Sequence, residues 1–276
     1  MTRRTAIAAL LLPQDPVFRS GVSLIRVDAA VSDASGRILT DLTKDDFRVF
    51  DDGKPQPIVS FSFEEEPLDV VLLFDTGGNM HSKFLPLIRA VELGFHELKP
   101  GDRAAVMVYS GFSVQLLPLT ANFGAVNDAI LLGVLKQRFG GPSKLVPAAD
   151  DAAKHFLAEP TTHRRRAILA ISDKTAGKQP DADALRDLWQ ANAVLSELIL
   201  ANPPQATDAV VEKTGGYTLA SGSDPGAAFQ ESLRRLRRRY TLYYAMPPGP
   251  SGTERSIRLE SRPDIRIFAR TGYTIG

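Results

Sequence analysis

The chain of 276 residues contains no cysteine, which excludes disulfides, thiolate metal sites and a cysteine nucleophile. Histidine is scarce too, and 4 residues make a multi-histidine metal centre an unpromising reading. No charge of one sign predominates: 33 Lys and Arg stand against 32 Asp and Glu, for a formal net charge of +1. That balance supplies no global field to recruit nucleic acid or an acidic membrane. Beyond the amino terminus, no apolar run is long enough to span a bilayer, so neither nucleic acid nor a membrane span enters the reading.

What is present is ordinary for a globular protein, with 43% apolar and 24% charged residues. The length suits one large core or two modest ones. Thr2-Arg3-Arg4-Thr5, followed by the short apolar stretch 6–12, has the order of an export signal. The adjacent arginines hint at twin-arginine export, although no clear small-x-small cleavage site follows. Residues 1–20 are therefore read as an export signal, for a periplasmic or extracellular protein, or as a disordered tail.

The organising stretch is Leu68-Asp69-Val70-Val71-Leu72-Leu73-Phe74-Asp75-Thr76-Gly77-Gly78-Asn79-Met80. An apolar run of this length, ended by an acid and two glycines, predicts a buried parallel strand turning sharply into a helix. Open α/β sheets bind ligands outside the carboxyl ends of their strands, so Asp75 stands where a site belongs.

Residues 21–66 predict β structure. Val27, Ala29 and Val31 alternate with polar positions, and Leu24-Ile25 suggests a bulge. Asp52-Gly53 lies between the strand-like runs Phe47-Arg48-Val49-Phe50 and Ile58-Val59-Ser60-Phe61, a hairpin signal. Thr43-Lys44-Asp45-Asp46 predicts one capped helical turn. The acidic Glu64-Glu65-Glu66-Pro67 breaks the pattern and marks a boundary. Strands and helices then alternate, with helices over 84–98, 122–137, 147–157, 181–193, 206–213 and 225–238. Between them lie strands at 104–109, 114–117, 167–173, 194–200 and 217–219. After 239 the pattern returns to β, with strands over 240–245, 256–260 and 265–269. The fold class is α/β: a doubly wound, mostly parallel sheet over 67–238, with a smaller β-rich domain built from both chain ends, 21–66 and 239–276.

Three loops can meet at one crevice of such a sheet. Asp75, Gly77 and Asn79 leave the first strand at i, i+2 and i+4, Asp173 leaves another strand, and Ser143 follows Gly140-Gly141-Pro142. Carboxylate, amide and hydroxyl oxygens are hard ligands that suit magnesium, manganese or calcium.

Here the chain resembles the von Willebrand factor A family. That family's metal-ion-dependent adhesion site (MIDAS) takes Asp-x-Ser-x-Ser from the first strand, a Thr from a second loop and an Asp from a third. Phe74-Asp75-Thr76-Gly77-Gly78-Asn79-Met80 sits where the family has the first element. Gly141-Pro142-Ser143-Lys144-Leu145 sits at the second, and Ile171-Ser172-Asp173 is similar to the third, with Lys174 in place of Gly. Leu98-Lys99-Pro100-Gly101-Asp102 and Thr214-Gly215-Gly216-Tyr217 are similar to its flanking loops. Leu42-Thr43-Lys44-Asp45-Asp46-Phe47 and Asp52-Gly53-Lys54-Pro55-Gln56 resemble bacterial exported proteins with a related domain. The resemblance implies a Rossmann-like fold and a protein-recognition or adhesion function without catalysis. It implies a magnesium, manganese or calcium site at Asp75, Asn79, Ser143 and Asp173, completed by an acidic side chain of a partner protein. Gly77, at a ligand position, offers no side-chain oxygen, and Lys174 brings a positive charge beside Asp173. A degenerate, metal-free crevice and a metal-independent scaffold module are therefore retained as alternatives.

Asp75-Thr76-Gly77 also matches the Asp-Thr-Gly of aspartic proteases, but no second copy occurs to form the required carboxylate pair. Gly77 likewise breaks the Asp-x-Asp spacing of haloacid-dehalogenase-like phosphoryl transfer. A hydrolase using Asp75 stays the weakest alternative, because no nucleophile–base pair is recognisable. The basic runs Arg164-Arg165-Arg166 and Leu233-Arg234-Arg235-Leu236-Arg237-Arg238-Arg239 predict solvated faces, with an anionic partner surface as the sharper reading. Trp189, at helical spacing with Leu185, predicts core, and His81 and His163 predict surface.

Overall fold

A computed structural model describes residues 23–78, 80–88, 91–160, 163–174, 182–201 and 207–276. Residues 1–22, where the export signal is expected, and the candidate ligand Asn79 lie outside the described residues.

The chain opens with β1 (Leu24–Asp33), a single 3₁₀ turn (Lys44–Asp46), β2 (Arg48–Asp51), β3 (Lys54–Gln56) and β4 (Ile58–Ser62). The central portion runs β5 (Leu68–Asp75), α1 (Met80–Ile88), α2 (Val91–Phe95), β6 (Arg103–Tyr109), β7 (Ser113–Thr120) and α3 (Phe123–Asp128). A π-helix (Ala129–Val134) continues α3 and leads towards α4 (Leu145–Ala158), β8 (Arg165–Ser172), α5 (Ala182–Gln190) and β9 (Ala193–Ile199). Then come α6 (Ala209–Lys213), β10 (Thr218–Ala220) and α7 (Pro225–Arg237). The carboxyl-terminal part is β11 (Tyr240–Ala245), β12 (Glu254–Glu260), β13 (Ile265–Ala269) and β14 (Gly272–Thr274).

The central strands form a six-stranded sheet in the order β10-β9-β8-β5-β6-β7. Every pairing is parallel except that of the edge strand β7 with β6. All eight residues of β5 are buried, as a strand covered by helices on both faces must be. Val70, Leu72 and Phe74 pack with Phe84 and Leu87 of α1 and Phe229, Leu233 and Leu236 of α7. Val71 and Leu73 face Ala148, Ala149, Ala152 and Ala153 of α4 on the opposite side. The run of alanines gives α4 a low face that can lie close to the strands.

Strands from the two ends of the chain share two further sheets, ordered β13-β1-β11-β4 and β14-β12-β2-β3. Val27, Ala29 and Val31 of β1 are buried with Leu242 and Tyr244 of β11. Thr43 caps the 3₁₀ turn reciprocally with Asp46.

Several expectations need correction. The hairpin at Asp52-Gly53 pairs β2 with β3, while β4 pairs with β11 in the other sheet. The two turn residues have φ of 45° and 77°, the left-handed geometry of a two-residue hairpin, which sends the chain back at once. Leu24 and Ile25 continue the regular β1–β11 ladder without a bulge. The segment 84–98 is two helices, α1 and α2, and 122–137 is shorter and π-wound over its second half. α4 starts at Leu145, two residues ahead of the expected 147, because Pro147 is tolerated in a first turn that needs no donor there. Strand β14 carried too short an apolar signal to be read.

The arginine-rich end of α7 is not a solvated face. Arg237 and Arg239 are 3% and 1% exposed. Arg237 is ion-paired with buried Asp102, and Arg239 Nη2 donates to the carbonyls of Asp28, Gly215 and Phe268 at 3.2, 2.6 and 2.7 Å. Arg165, in the second basic run, is 1% exposed and donates to the Arg237 and Arg239 carbonyls and Thr241 Oγ1. Here α7 ends and the chain crosses into β11, and carbonyls of the crossing, of β1, of β13 and of the loop after α6 meet the two buried guanidinium groups. Buried carbonyls need donors, and guanidinium groups supply several from one side chain.

Candidate functional site

In the six-stranded sheet the chain winds outward from β5 in both directions, through β6 and through β8. The crevice at that reversal lies outside the carboxyl end of β5, where Asp75 is the last residue. Asp75 is 1% exposed. Its Oδ1 accepts from the Gly77 amide at 2.7 Å and from the Ser143 hydroxyl at 2.7 Å. Its Oδ2 is buried without a hydrogen-bond partner among the described residues. Burial pushes the Asp75 carboxyl above the usual carboxylate range, against the two hydrogen bonds, with Asp173 adding to the rise.

The second loop is tied to the first by backbone. Gly140 N donates to Thr76 O at 2.8 Å and Gly78 N to Gly141 O at 3.2 Å. This brings Ser143 to Asp75 as the sequence pattern suggested. A Cβ on Gly77 would begin in space that the Ser143 hydroxyl already fills, and would lie 3.0 Å from Asp75 Oδ1 and 3.1 Å from the Gly141 carbonyl.

The third loop follows β8. Asp173 lies near enough to Asp75 to influence its titration, but its Oδ2 takes Lys83 Nζ of α1 at 3.1 Å. Ser172 Oγ turns back onto Lys174 O at 2.7 Å. Asp75, Ser143 and Asp173 thus share the crevice, while Asn79 is outside the described residues. Among the described residues, no group of three or more His, Asp or Glu side chains is placed to hold a metal ion.

Sequence reasoning missed two members. Lys83 was passed over because only the loop geometry brings the fourth residue of α1 against Asp173; the expected competing cation was Lys174, which is exposed and acts on Asp75 through space. Tyr109 ends β6 directly beside Asp75 in register and is 2% exposed. Its phenol is held well above the usual range by burial first, then by Asp75 and Glu197. The signal was available: a strand-terminal aromatic before Ser110-Gly111. His81 is exposed, with its ring edge-on to Phe139 at 5.1 Å.

The sheet runs 3-2-1-4-5-6 with one antiparallel edge, and an aspartate closes its first strand beneath convergent loops, the doubly wound architecture that the sequence resemblance implied. No family model matches the chain, and no curated protein matches it. Solved structures of similar fold include an aerotolerance-related membrane protein from Bacteroides fragilis, at TM-score 0.47 and 13% identity over 61% of this chain and 98% of that one. A von Willebrand factor type A protein from Catenulispora acidiphila matches at TM-score 0.48 and 11% identity, over 94% of this chain and 74% of its own. Proximal thread matrix protein 1 from the mussel byssus, solved with a zinc-occupied MIDAS motif, matches at 0.46 and 11%, over 68% and 50%. No helix of the described residues is long and apolar enough to cross a membrane.

Proposed function

We propose that this von Willebrand factor A-type chain is a non-catalytic protein-recognition module whose MIDAS-like crevice works without a metal ion. The observation that carries this reading is the Ser143 hydroxyl, bonded to Asp75 Oδ1 in the space a ligand side chain on residue 77 would need. The poor fit of the donor set to a hard cation supports it. Buried, unpartnered Asp75 Oδ2 is the one feature that suits a cation. Against it, Gly77 supplies no oxygen, Ser143 spends its proton on Asp75, and the Asp173 carboxylate already has the Lys83 ammonium. Magnesium fills vacancies with water, but it needs carboxylates free to face it. The residues therefore do not fit the ion, and no step is assigned to one. In this reading the 67–238 domain is set into the β-rich domain of 21–66 and 239–276 and presents its carboxyl-end loops to a partner protein.

The test is thermal unfolding of the full chain in chelator, magnesium, manganese and calcium, alongside Asp75→Ala. A ligand at a hundredfold excess over its Kd stabilises the folded state by about 2.7 kcal/mol. The expected result is the same midpoint in every condition. A metal-dependent rise that disappears in Asp75→Ala overturns the metal-free reading.

A further inference from the structure

We propose that the crevice binds an acidic segment of its partner through lysine ammonium groups that take over the role of the absent cation. This deepens the metal-independent reading and rests on it. The loops at the carboxyl end, 75–83, 109–113, 135–145 and 172–174, contain the basic residues Lys83, Lys136, Arg138, Lys144 and Lys174. Among the described residues of these segments the acids are Asp75 and Asp173. The whole chain carries a net charge of only +1, so this excess is a local asymmetry and not a share of a basic surface.

The two carboxylates do not neutralise it outward. Asp75 is sealed in at 1% exposure, with its charged form disfavoured by burial. Asp173 is consumed by Lys83, whose side chain is still 34% exposed and retains ammonium donors beyond the one at 3.1 Å. Lys136, Arg138, Lys144 and Lys174 are exposed, and none has an ion-pair partner among the described residues. Lys136, Arg138 and Lys144 lie on the loop that the Gly140–Thr76 and Gly78–Gly141 backbone bonds hold to the loop after β5, and Lys174, from the loop after β8, lies near enough to act on Asp75 through space, so these charges are gathered by the fold from two distant segments.

The chemistry of the rim points to protein over another polyanion. Phe112 is 76% exposed on the turn after β6. That turn is fastened to the Ser143 loop by Lys144 N donating to Ser110 O at 3.0 Å. An exposed aromatic beside a charged recess is the composition of a protein docking surface, with an apolar anchor and a polar rim. The fitting occupant is an extended segment with a Glu or Asp side chain for the lysines and an adjacent apolar residue for Phe112.

The experiment is fluorescence anisotropy with the full chain in chelator, using a labelled glutamate–leucine peptide, its lysine–leucine counterpart and a DNA duplex of matched charge. The wild type is expected to bind the acidic peptide, more weakly as salt rises, and to ignore the basic one. The pair Lys144→Glu and Lys174→Glu is expected to weaken binding at least about tenfold, mostly through charge complementarity. Phe112→Ala is expected to weaken it too. The pair Arg48→Glu and Lys54→Glu, on the exposed β2–β3 hairpin, makes the same change in net charge elsewhere and is expected to leave binding unaltered. All variants carry exposed substitutions, and their melting curves verify folding. Equal loss in the hairpin control, equal affinity for DNA, or no binding of the acidic peptide overturns the proposal. If binding appears only when magnesium is added, the metal-free reading itself fails. If no binding occurs and the melts ignore metals, only the lysine proposal falls.

Discussion

Ser143 donates its hydroxyl to Asp75 Oδ1 at 2.7 Å from the space beside Gly77 in which a side chain at that position would begin. The missing oxygen of residue 77 and the inward turn of Ser143 are therefore one structural fact. With no side chain at 77, the hydroxyl of the second loop collapses onto the carboxylate of the first.

Reversal follows from the same geometry. Gly77 does not have a positive φ, so serine is allowed there by the backbone. Gly77→Ser forces Ser143 to rotate away from a charge-assisted hydrogen bond, and the substitution should cost about 1–2 kcal/mol in chelator. Combined with Lys83→Ala, which releases Asp173, it reassembles hydroxyl and carboxylate oxygens around the crevice. Calorimetric melts should then rise with added magnesium or manganese in the double variant and stay unmoved in the wild type. A double variant that ignores both metals would mean that residues 77 and 83 are not what keeps the ion out.

Asp75 should destabilise the fold at neutral pH. Its carboxyl is raised above the usual carboxylate range mainly by burial, so the folded chain holds the proton more tightly than the unfolded chain does. A carboxyl with a raised folded pKa lowers stability above that pKa and stops doing so once pH falls below the unfolded value. Asp75→Asn removes the buried charge and keeps an acceptor for Gly77 N and Ser143 Oγ. The variant should be more stable than the wild type at pH 7, with the gap closing as pH falls through the raised pKa towards the unfolded value. Urea titrations across that range measure it, and a gap that widens on acidification contradicts the argument.

The sheet was legible because its strands are short apolar runs ended by acids or glycines: Leu68–Asp75 and Arg165–Ser172 announce themselves, and Asp75, Ser143 and Asp173 fall on the loops that follow. What could not be read were relationships that only the assembled fold creates. Lys83 meets Asp173 across 90 positions, and nothing in a helix's own periodicity shows where its first turn will point. The arginine run of α7 predicts a solvated face because a charged run is normally hydrated. Arg237 and Arg239 instead enter the interior, where Arg237 pairs with Asp102 and the Glu97 carbonyl, and Arg239 serves carbonyls of β1, β13 and the loop after α6. The π-winding over Ala129–Val134 leaves the apolar spacing nearly unchanged, so periodicity alone passes over it.

Gly216 marks a close approach that the sequence recorded only as part of a familiar loop. A Cβ there would overlap the Leu195 carbonyl of β9, a backbone atom that cannot rotate aside. The neighbouring Thr214 hydroxyl accepts from Leu195 N at 3.1 Å, pinning the same two segments together. Gly216→Ala should therefore cost about 2–4 kcal/mol, through forced separation of the loop from β9. Gly222→Ala has open space at its Cβ but a positive φ, and should cost only about 1 kcal/mol. Chemical denaturation of the two variants separates overlap from backbone strain, and equal losses would refute the distinction.

The junction between the six-stranded sheet and the β strands of the chain ends should depend on Arg239 far more than on its neighbour. Arg239 Nη2 satisfies carbonyls from β1, from the loop after α6 and from β13, three segments with no other common donor. Its Nε and Nη1 have no partners in the described structure, and burial draws its guanidinium down to about 10, so part of this gain is offset by desolvation. Arg239→Met fills the space but leaves the carbonyls orphaned, and an unsatisfied buried acceptor costs about 1–3 kcal/mol. The expected loss is about 2–4 kcal/mol, whereas Arg238→Met, at an exposed position one residue earlier, should stay within about 0.5 kcal/mol. Hydrogen exchange gives the spatial signature: amides of β1 and β13 should lose protection in Arg239→Met before those of β5. Uniform loss across all strands would show that the arginine supports the whole core and not this junction, and a neutral Arg239→Met would show that water satisfies the three carbonyls equally well.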